Sequence, residues 1–226
     1  MDNVNDKLNT IVKEELEIFL KEYIRSPYLC YTEHGVHALF FQRLYSKLPE
    51  SLRNIELYIA GEKIMVCRIQ KEYPTKTDLG RSRRQNWDLA VIGDTGKEQD
   101  KYDELPLCCV VEFGLNATFE HLKDDVERVG HDGACVDNTY VVHLYRISEA
   151  GKKISRRDAS RNHKEIIDWE KSDKTLSAIK VYPSKNTVIY FGLVDFSRKE
   201  RFHPVLFKYE NGDRINLELS EEIAQE

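Results

Sequence analysis

Two stretches of apolar residues at helical spacing open the chain. The first runs through residues 5–24 and the second from about Thr32 to Lys47. Pro27 and Pro49 stand where these helices would end, because proline cannot continue a helix. The N-terminal fifth of the chain is therefore predicted to be helical.

Short apolar runs follow, and they predict strands rather than helices. Residues 55–60 and 63–70 flank Gly61 and predict a hairpin. Later runs predict strands at 87–93, 107–115, 139–147, 187–196 and 205–209. Thr118 can cap a helix that reaches about Val129, and a further helix is predicted over residues 158–171.

This order of elements predicts a mixed α/β (α+β) domain in which helices pack on a central β-sheet. We expect residues 1–226 to form a single domain. Within it, residues 1–28 would be the N-terminal helix and residues 148–226 a C-terminal helix and strands that complete the domain.

Composition narrows the class of protein. The 226 residues are 41% hydrophobic, which is enough for a core, and the formal net charge of -5 excludes a uniformly basic nucleic-acid coat. The five cysteines include no C-x-x-C pair, so buried thiols in a reducing compartment are expected. The acidic N-terminus is unlike a secretory signal, and no apolar stretch approaches the roughly 18 residues of a membrane span. A cytoplasmic protein without membrane contact is expected.

Three acidic residues stand at positions where acids are unusual. Glu112 interrupts the apolar run VVEFGLN, Asp88 begins WDLAVIG, and Glu33 lies on the inward side of its helix. If the two strands pair as a hairpin, Asp88 and Glu112 converge, and converging carboxylates need a shared proton or a metal ion. Each acid also has a simpler interpretation: an edge-strand charge for Glu112, a turn residue for Asp88, and a favourable helix-dipole contact for Glu33.

These motifs in this order resemble the PD-(D/E)XK nuclease superfamily, the restriction-endonuclease-like fold. The resemblance covers residues 30–147: a glutamate in TEHGVHALFFQRL, an aspartate in RRQNWDLAVIG, a glutamate in VVEFGLN and the helix TFEHLKDDVERV. It implies a restriction-endonuclease-like mixed central sheet and a nuclease that uses Mg²⁺ or Mn²⁺.

The resemblance also implies roles for the residues. Asp88, Glu112 and the backbone carbonyl of Phe113 would bind the metal ion, and Glu33 would assist through a metal-bound water. In the family a lysine two residues after the glutamate orients or activates the attacking water. Here that position is Gly114, which supplies no cation.

A lysine on the following helix could replace the missing group. Lys123 is the first candidate, and a solvated helix lysine is its alternative interpretation. Asn116 could position a water by hydrogen bonding, while Lys71 and Glu72 are weaker candidates.

Two basic segments are candidates for phosphate contacts beside an acidic metal site. The simpler interpretation is solvated loops and helix faces, and it is favoured for the first segment taken alone. Their basic residues are Arg81, Arg83 and Arg84 in the first segment and Lys152, Lys153, Arg156 and Arg157 in the second. The histidines His34 and His37 do not form an H-E-x-x-H motif, and we expect them to be structural.

The sequence therefore predicts a metal-dependent nuclease that hydrolyses phosphodiester bonds of nucleic acid, with DNA favoured over RNA. The main alternative is a catalytically inactive nuclease-fold module that binds nucleic acid or a partner protein. A nucleotide phosphohydrolase is a third class. A homodimer, or a partner subunit that completes the site, is left open by the sequence.

Overall fold

The computed structural model of the protein describes residues 3–79, 84–95, 101–147, 186–195 and 204–219. Four α-helices occur in these ranges: α1 (Val4–Arg25), α2 (Glu33–Lys47), α3 (Glu50–Arg53) and α4 (Phe119–Gly130). The strands are β1 (Asn54–Ile59), β2 (Glu62–Cys67), β3 (Ile69–Pro74), β4 (Asn86–Ile92), β5 (Leu107–Leu115), β6 (Val136–Ile147), β7 (Asn186–Asp195), β8 (Val205–Glu210) and β9 (Asp213–Asn216).

Seven strands form one mixed sheet in the order β3-β4-β5-β6-β7-β8-β9. The two central pairings, β5 with β6 and β6 with β7, are parallel, and the outer pairings are antiparallel. Strands β1 and β2 form a separate antiparallel pair. The prediction of a mixed α/β fold with helices on a central sheet is confirmed.

Two apolar clusters cover the two faces of the sheet. Helices α1 and α2 supply one cluster, in which Leu16, Phe19 and Phe40 are fully buried. Helix α4 and the β1–β2 pair contribute to the other, which includes Leu122 and Trp87. Because both faces are covered, the residues of β5 are buried on both sides, which explains its nearly continuous apolar sequence.

The prediction of a single strand over residues 63–70 is wrong in one respect. The structure divides this segment between two sheets. Strand β2 ends at Cys67, and β3 begins at Ile69 in the main sheet. The buried Arg68 lies between them and donates from Nη1 to the carbonyls of Ile92 and Gly93, both at 3.1 Å. These bonds tie the crossing point of the chain to the end of β4.

Other predicted boundaries agree closely with the structure. Thr118 caps α4 as expected, its side chain accepting from the backbone N–H of His121. Strand β6 begins three residues before the predicted start, and α3 and β9 were not predicted. The helix predicted over 158–171 lies outside the described residues. None of the described helices combines the length and apolar character that a membrane span requires.

Candidate functional site

The register of three neighbouring strands aligns three acidic residues in one row across the sheet. Strand β3 pairs with β4 through Lys71 with Leu89, and β4 pairs with β5 through Leu89 with Val111. Extended by one residue from these pairs, the same register reaches Glu72, Asp88 and Glu112, which we call the acid row. Acidic residues placed side by side on paired strands repel each other unless a cation or a proton intervenes.

Asp88 ends the regular pairing between β4 and β5. Its Oδ2 accepts the backbone N–H of Phe113 at 2.7 Å. The carboxylate thus replaces a strand carbonyl as the partner of that amide, which fixes Asp88 beside Glu112. Its side chain is 20% exposed, whereas Glu112 is completely buried.

The two carboxyl groups of Asp88 and Glu112 influence each other strongly. Burial raises the pKa of Asp88, and burial together with the charge of Asp88 holds the pKa of Glu112 well above its usual range. This is the behaviour of two acids that share one proton or one cation.

Arg128 enters the site from α4 and contacts two acids at once. Its Nη2 lies 2.6 Å from Oε2 of Glu112 and 2.8 Å from Oδ1 of Asp125. The other oxygen of Glu112, Oε1, has no hydrogen-bond donor among the described residues. Three carboxyl groups, those of Asp88, Glu112 and Asp125, therefore face one guanidinium, and the excess of negative charge favours a bound cation or proton.

His143 occupies the space beside Gly114, where the resemblance places a lysine. Gly114 and His143 are neighbours in the parallel register of β5 and β6. The buried imidazole contacts Oδ2 of Asp125 through Nε2 at 2.9 Å and the hydroxyl of Tyr145 through Nδ1 at 3.3 Å. Both ring nitrogens are thus engaged, so His143 holds Asp125 in place for Arg128.

Lys123 is not brought to the acid row. Its side chain is 59% exposed and pairs with Glu127 at 3.5 Å. Residues two apart on a helix point in different directions, so the rotation of α4 that turns Asp125 inward turns Lys123 outward. Arg128 is the α4 cation that contacts Glu112.

Glu33 reaches the end of β5 from the helical layer. Its Oε2 accepts the backbone N–H of Leu115 at 3.0 Å. It also lies one turn before His37, and its charge acts on that imidazole. The structure therefore places Glu33 near the acid row, with one oxygen already engaged by the backbone.

Asn116 and Arg84 have other partners in the structure. Asn116 adopts a left-handed backbone (φ 53°) and accepts the N–H of Arg146 at 2.9 Å, so it fastens the ends of β5 and β6. Arg84 joins Asp103 by an ion pair of 2.5 Å and donates to the carbonyl of Thr75. The remaining predicted phosphate-contacting residues, Arg81, Arg83, Lys152, Lys153, Arg156 and Arg157, lie outside the described residues.

An open groove leads from the start of α4 towards Arg128. The residues that line it are Gln85, Thr118, Glu120, His121, Asp124, Asp125 and Arg128. The acids outnumber the cations, so the described wall of this groove would repel a polyanion unless a metal ion offset its charge.

His34, His37 and Glu72 meet on the other side of Asp88. His37 is buried, and its Nε2 lies 3.7 Å from Oδ2 of Asp88. Sequence reasoning considered the two histidines structural and Glu72 a weak candidate. The spacing of His34 and His37 indicates that both lie on one face of α2. That Glu72 lies beside them depends on the path of β3, which the sequence does not reveal.

Comparisons of the chain with protein-family models, with curated proteins and with solved structures find no match.

Proposed function

We propose that the protein is a metal-dependent nuclease that hydrolyses phosphodiester bonds of nucleic acid, with DNA as the favoured substrate. The observation that carries this proposal is the pairing of Asp88 with Glu112 at the end of the β4–β5 ladder. Their proximity, together with one guanidinium for three carboxyl groups, leaves negative charge that a divalent cation would offset.

The residues present fit Mg²⁺ or Mn²⁺. The described donors at the pair are carboxylate oxygens, which these ions prefer. Oε1 of Glu112 is buried without a donor, and the partly exposed Asp88 gives access from solvent. Asp88, Glu112 and the carbonyl of Phe113 would hold the ion, and Glu33 would contribute through water, as the resemblance to PD-(D/E)XK nucleases implies.

A divalent ion bound there supplies charge stabilisation for a phosphate and a water of lowered pKa. The chain itself contributes the positions of these groups. Arg128 offers the positive charge that lysine provides in the family, but a guanidinium stays protonated and cannot relay a proton. His143 and Asp125 orient Arg128, so they act as positioning residues.

The order of elements supports the same proposal. An early helix carries Glu33, two antiparallel strands carry Asp88 and Glu112, and a helix followed by a parallel strand comes next. This is the order on which the resemblance to PD-(D/E)XK nucleases depends. The order of elements alone does not separate a nuclease from a nucleotide phosphohydrolase. The predicted basic segments favour the nuclease, because they suit a polymeric polyanion as substrate.

A second candidate, an inactive module that binds nucleic acid or a protein, is favoured by one feature of the site. Glu112 is fully buried and already paired with Arg128, and Gly114 provides no general base. The guanidinium of Arg128 therefore already offsets part of the negative charge that a metal ion would otherwise balance. The module predicts salt-sensitive binding that survives EDTA and no cleavage with any metal ion.

Plasmid cleavage distinguishes the two candidates. We expect the protein to nick supercoiled plasmid or single-stranded DNA with Mg²⁺ or Mn²⁺, and Asp88→Asn to reduce cleavage to background. Asp213→Asn, an exposed acid on β9, is the matched control and should cleave like the wild type. Undiminished cleavage by Asp88→Asn, or no cleavage by the wild type with either ion, would contradict the nuclease proposal.

A further inference from the structure

We propose that His34, His37 and Glu72 form a second metal site, suited to a divalent transition-metal ion such as Zn²⁺. This site is distinct from the oxygen-only pair of Asp88 and Glu112. One ligand atom from each of the three residues lies within 4.8 Å of the others. Two imidazoles with one carboxylate are ligands that such ions prefer over Mg²⁺.

The two histidines are placed by the first turns of α2. They are three residues apart on a helix, so they lie on one face. Thr32 caps this helix by accepting the N–H of Gly35 at 3.1 Å, which fixes the turn that carries both rings. The ring centroids are 5.6 Å apart, and His34 is exposed while His37 is buried.

Glu72 approaches the histidines because β3 departs from regular backbone geometry there. Its φ is 52°, a left-handed conformation that is uncommon for residues other than glycine. The neighbours Lys71 and Tyr73 keep their pairing with β4, so the departure is confined to one residue. Strained backbone of this kind is typical of functional positions, where the direction of one side chain matters.

His37 is the second, independent observation. Only 1% of it is exposed, and neither ring nitrogen has a hydrogen-bond partner among the described residues. Buried polar groups nearly always have a partner, and a bound ion is one explanation for those that do not. A metal bond to one nitrogen would satisfy the lone pair that the protein leaves open.

The packing around His37 also suits a ligand. The packing of the ring on Phe113, with centroids 5.2 Å apart, restricts its movement. The exposed His34 and Glu72 leave one side of the site open to solvent.

The spacing is compatible with a tetrahedral ion after small side-chain adjustments. Zinc bonds of about 2.1 Å place neighbouring ligand atoms roughly 3.4 Å apart. The side chains of His34 and Glu72 are flexible, so their ligand atoms can move from separations of up to 4.8 Å to this shorter distance. A water molecule would complete the four ligands, since His34 and Glu72 leave the site open to solvent.

Co²⁺ titration tests this site directly, because tetrahedral Co²⁺ bound to histidine absorbs visible light. The wild type should bind one Co²⁺ with the visible absorption of a tetrahedral site, and Zn²⁺ should abolish that absorption. His34→Ala and Glu72→Gln should each weaken binding by more than about tenfold. Both residues are exposed, so these variants should fold, and equal thermal unfolding temperatures without metal would establish that.

His131→Ala removes an exposed histidine directly after α4 and is the matched control, with binding expected to equal the wild type. Wild-type-like binding by both His34→Ala and Glu72→Gln, or no Co²⁺ binding by the wild type, would overturn the proposal. Glu112→Gln separates this proposal from the nuclease: it should lose Mg²⁺-dependent cleavage and still bind Co²⁺ at the histidines.

Discussion

Gly114 lies so close to His143 that no larger residue fits at position 114. A Cβ atom there would stand 2.4 Å from Cε1 of His143 and 2.6 Å from its Nδ1. The glycine is therefore required by the imidazole on the neighbouring strand. This contact is a physical reason for a glycine, and against a lysine, at position 114.

Gly114→Ala should lower the free energy of unfolding by about 1–3 kcal/mol, because the added methyl group overlaps a fully buried ring. Urea denaturation followed by circular dichroism measures this. Gly114→Lys should destabilise the fold further and should not increase cleavage.

The matched comparison for this prediction is the same substitution in a His143→Ala background. Without the imidazole the methyl group has room, so Gly114→Ala should cost clearly less there. An equal loss of stability in the two backgrounds would show that His143 is not what excludes a side chain at position 114.

Arg128→Met should lower the free energy of unfolding by about 3–5 kcal/mol, because it leaves Glu112 and Asp125 buried without their cation. Thermal and urea unfolding measure this loss. Glu112→Gln combined with Arg128→Met should recover part of it, since one of the uncompensated acids is then neutral.

Lys123→Met is the control for Arg128, because it removes a cation from the exposed side of the same helix. Its effect should stay within about 0.5 kcal/mol. If the two substitutions cost the same, the ion pair of Arg128 with Glu112 is not a buried interaction that the fold depends on.

His37 should make the protein less stable as the pH falls from about 6.5 to 4. Its pKa in the folded protein is about 4, below the value near 6.5 of an unfolded chain. Between these values the unfolded state binds more protons, so acidification favours unfolding, by up to about 3 kcal/mol. Urea unfolding in EDTA at several pH values measures the effect.

His37→Phe isolates this contribution. The charged or titratable groups that face His37 are the same in both proteins: Glu33, His34, Lys71, Glu72 and Asp88. Asp88 and Glu112, whose pKa values are raised, become protonated in both and act in the opposite direction. Equal pH dependence for the wild type and His37→Phe would contradict the prediction.

The convergence of Asp88 and Glu112 was predictable from the sequence because consecutive strands that pair as an antiparallel hairpin bring the start of one strand beside the end of the other. A charged residue in an apolar run was the signal for Glu112. The same reasoning, applied to TYVVHLYRI, would have singled out His143, which lies in an equally buried strand.

The choice of Lys123 shows what a local pattern leaves undetermined. Its neighbour Leu122 is buried, so the periodicity predicts a position at the border of the buried face for Lys123. The rotation of α4 depends on how Leu122, Val126 and Val129 pack against the sheet. That packing turns Asp125 and Arg128 towards Glu112, and their i, i+3 spacing was the signal that sequence reasoning passed over.

The periodicity of the sequence could not predict that His34, His37 and Glu72 lie close together. Their proximity depends on a left-handed residue within β3 and on the division of the predicted strand at Arg68. Neither feature has a sequence signal here, since Glu72 is neither glycine nor asparagine.

Mn²⁺ binding tests the central claim most directly, which is that the acid row holds a divalent cation between Asp88 and Glu112. The measurement is a calorimetric titration of the His34→Ala protein, in which the proposed histidine site is removed. We predict that one Mn²⁺ binds and that adding Glu112→Gln abolishes binding. No Mn²⁺ binding by His34→Ala, or unchanged binding after Glu112→Gln, would contradict the account.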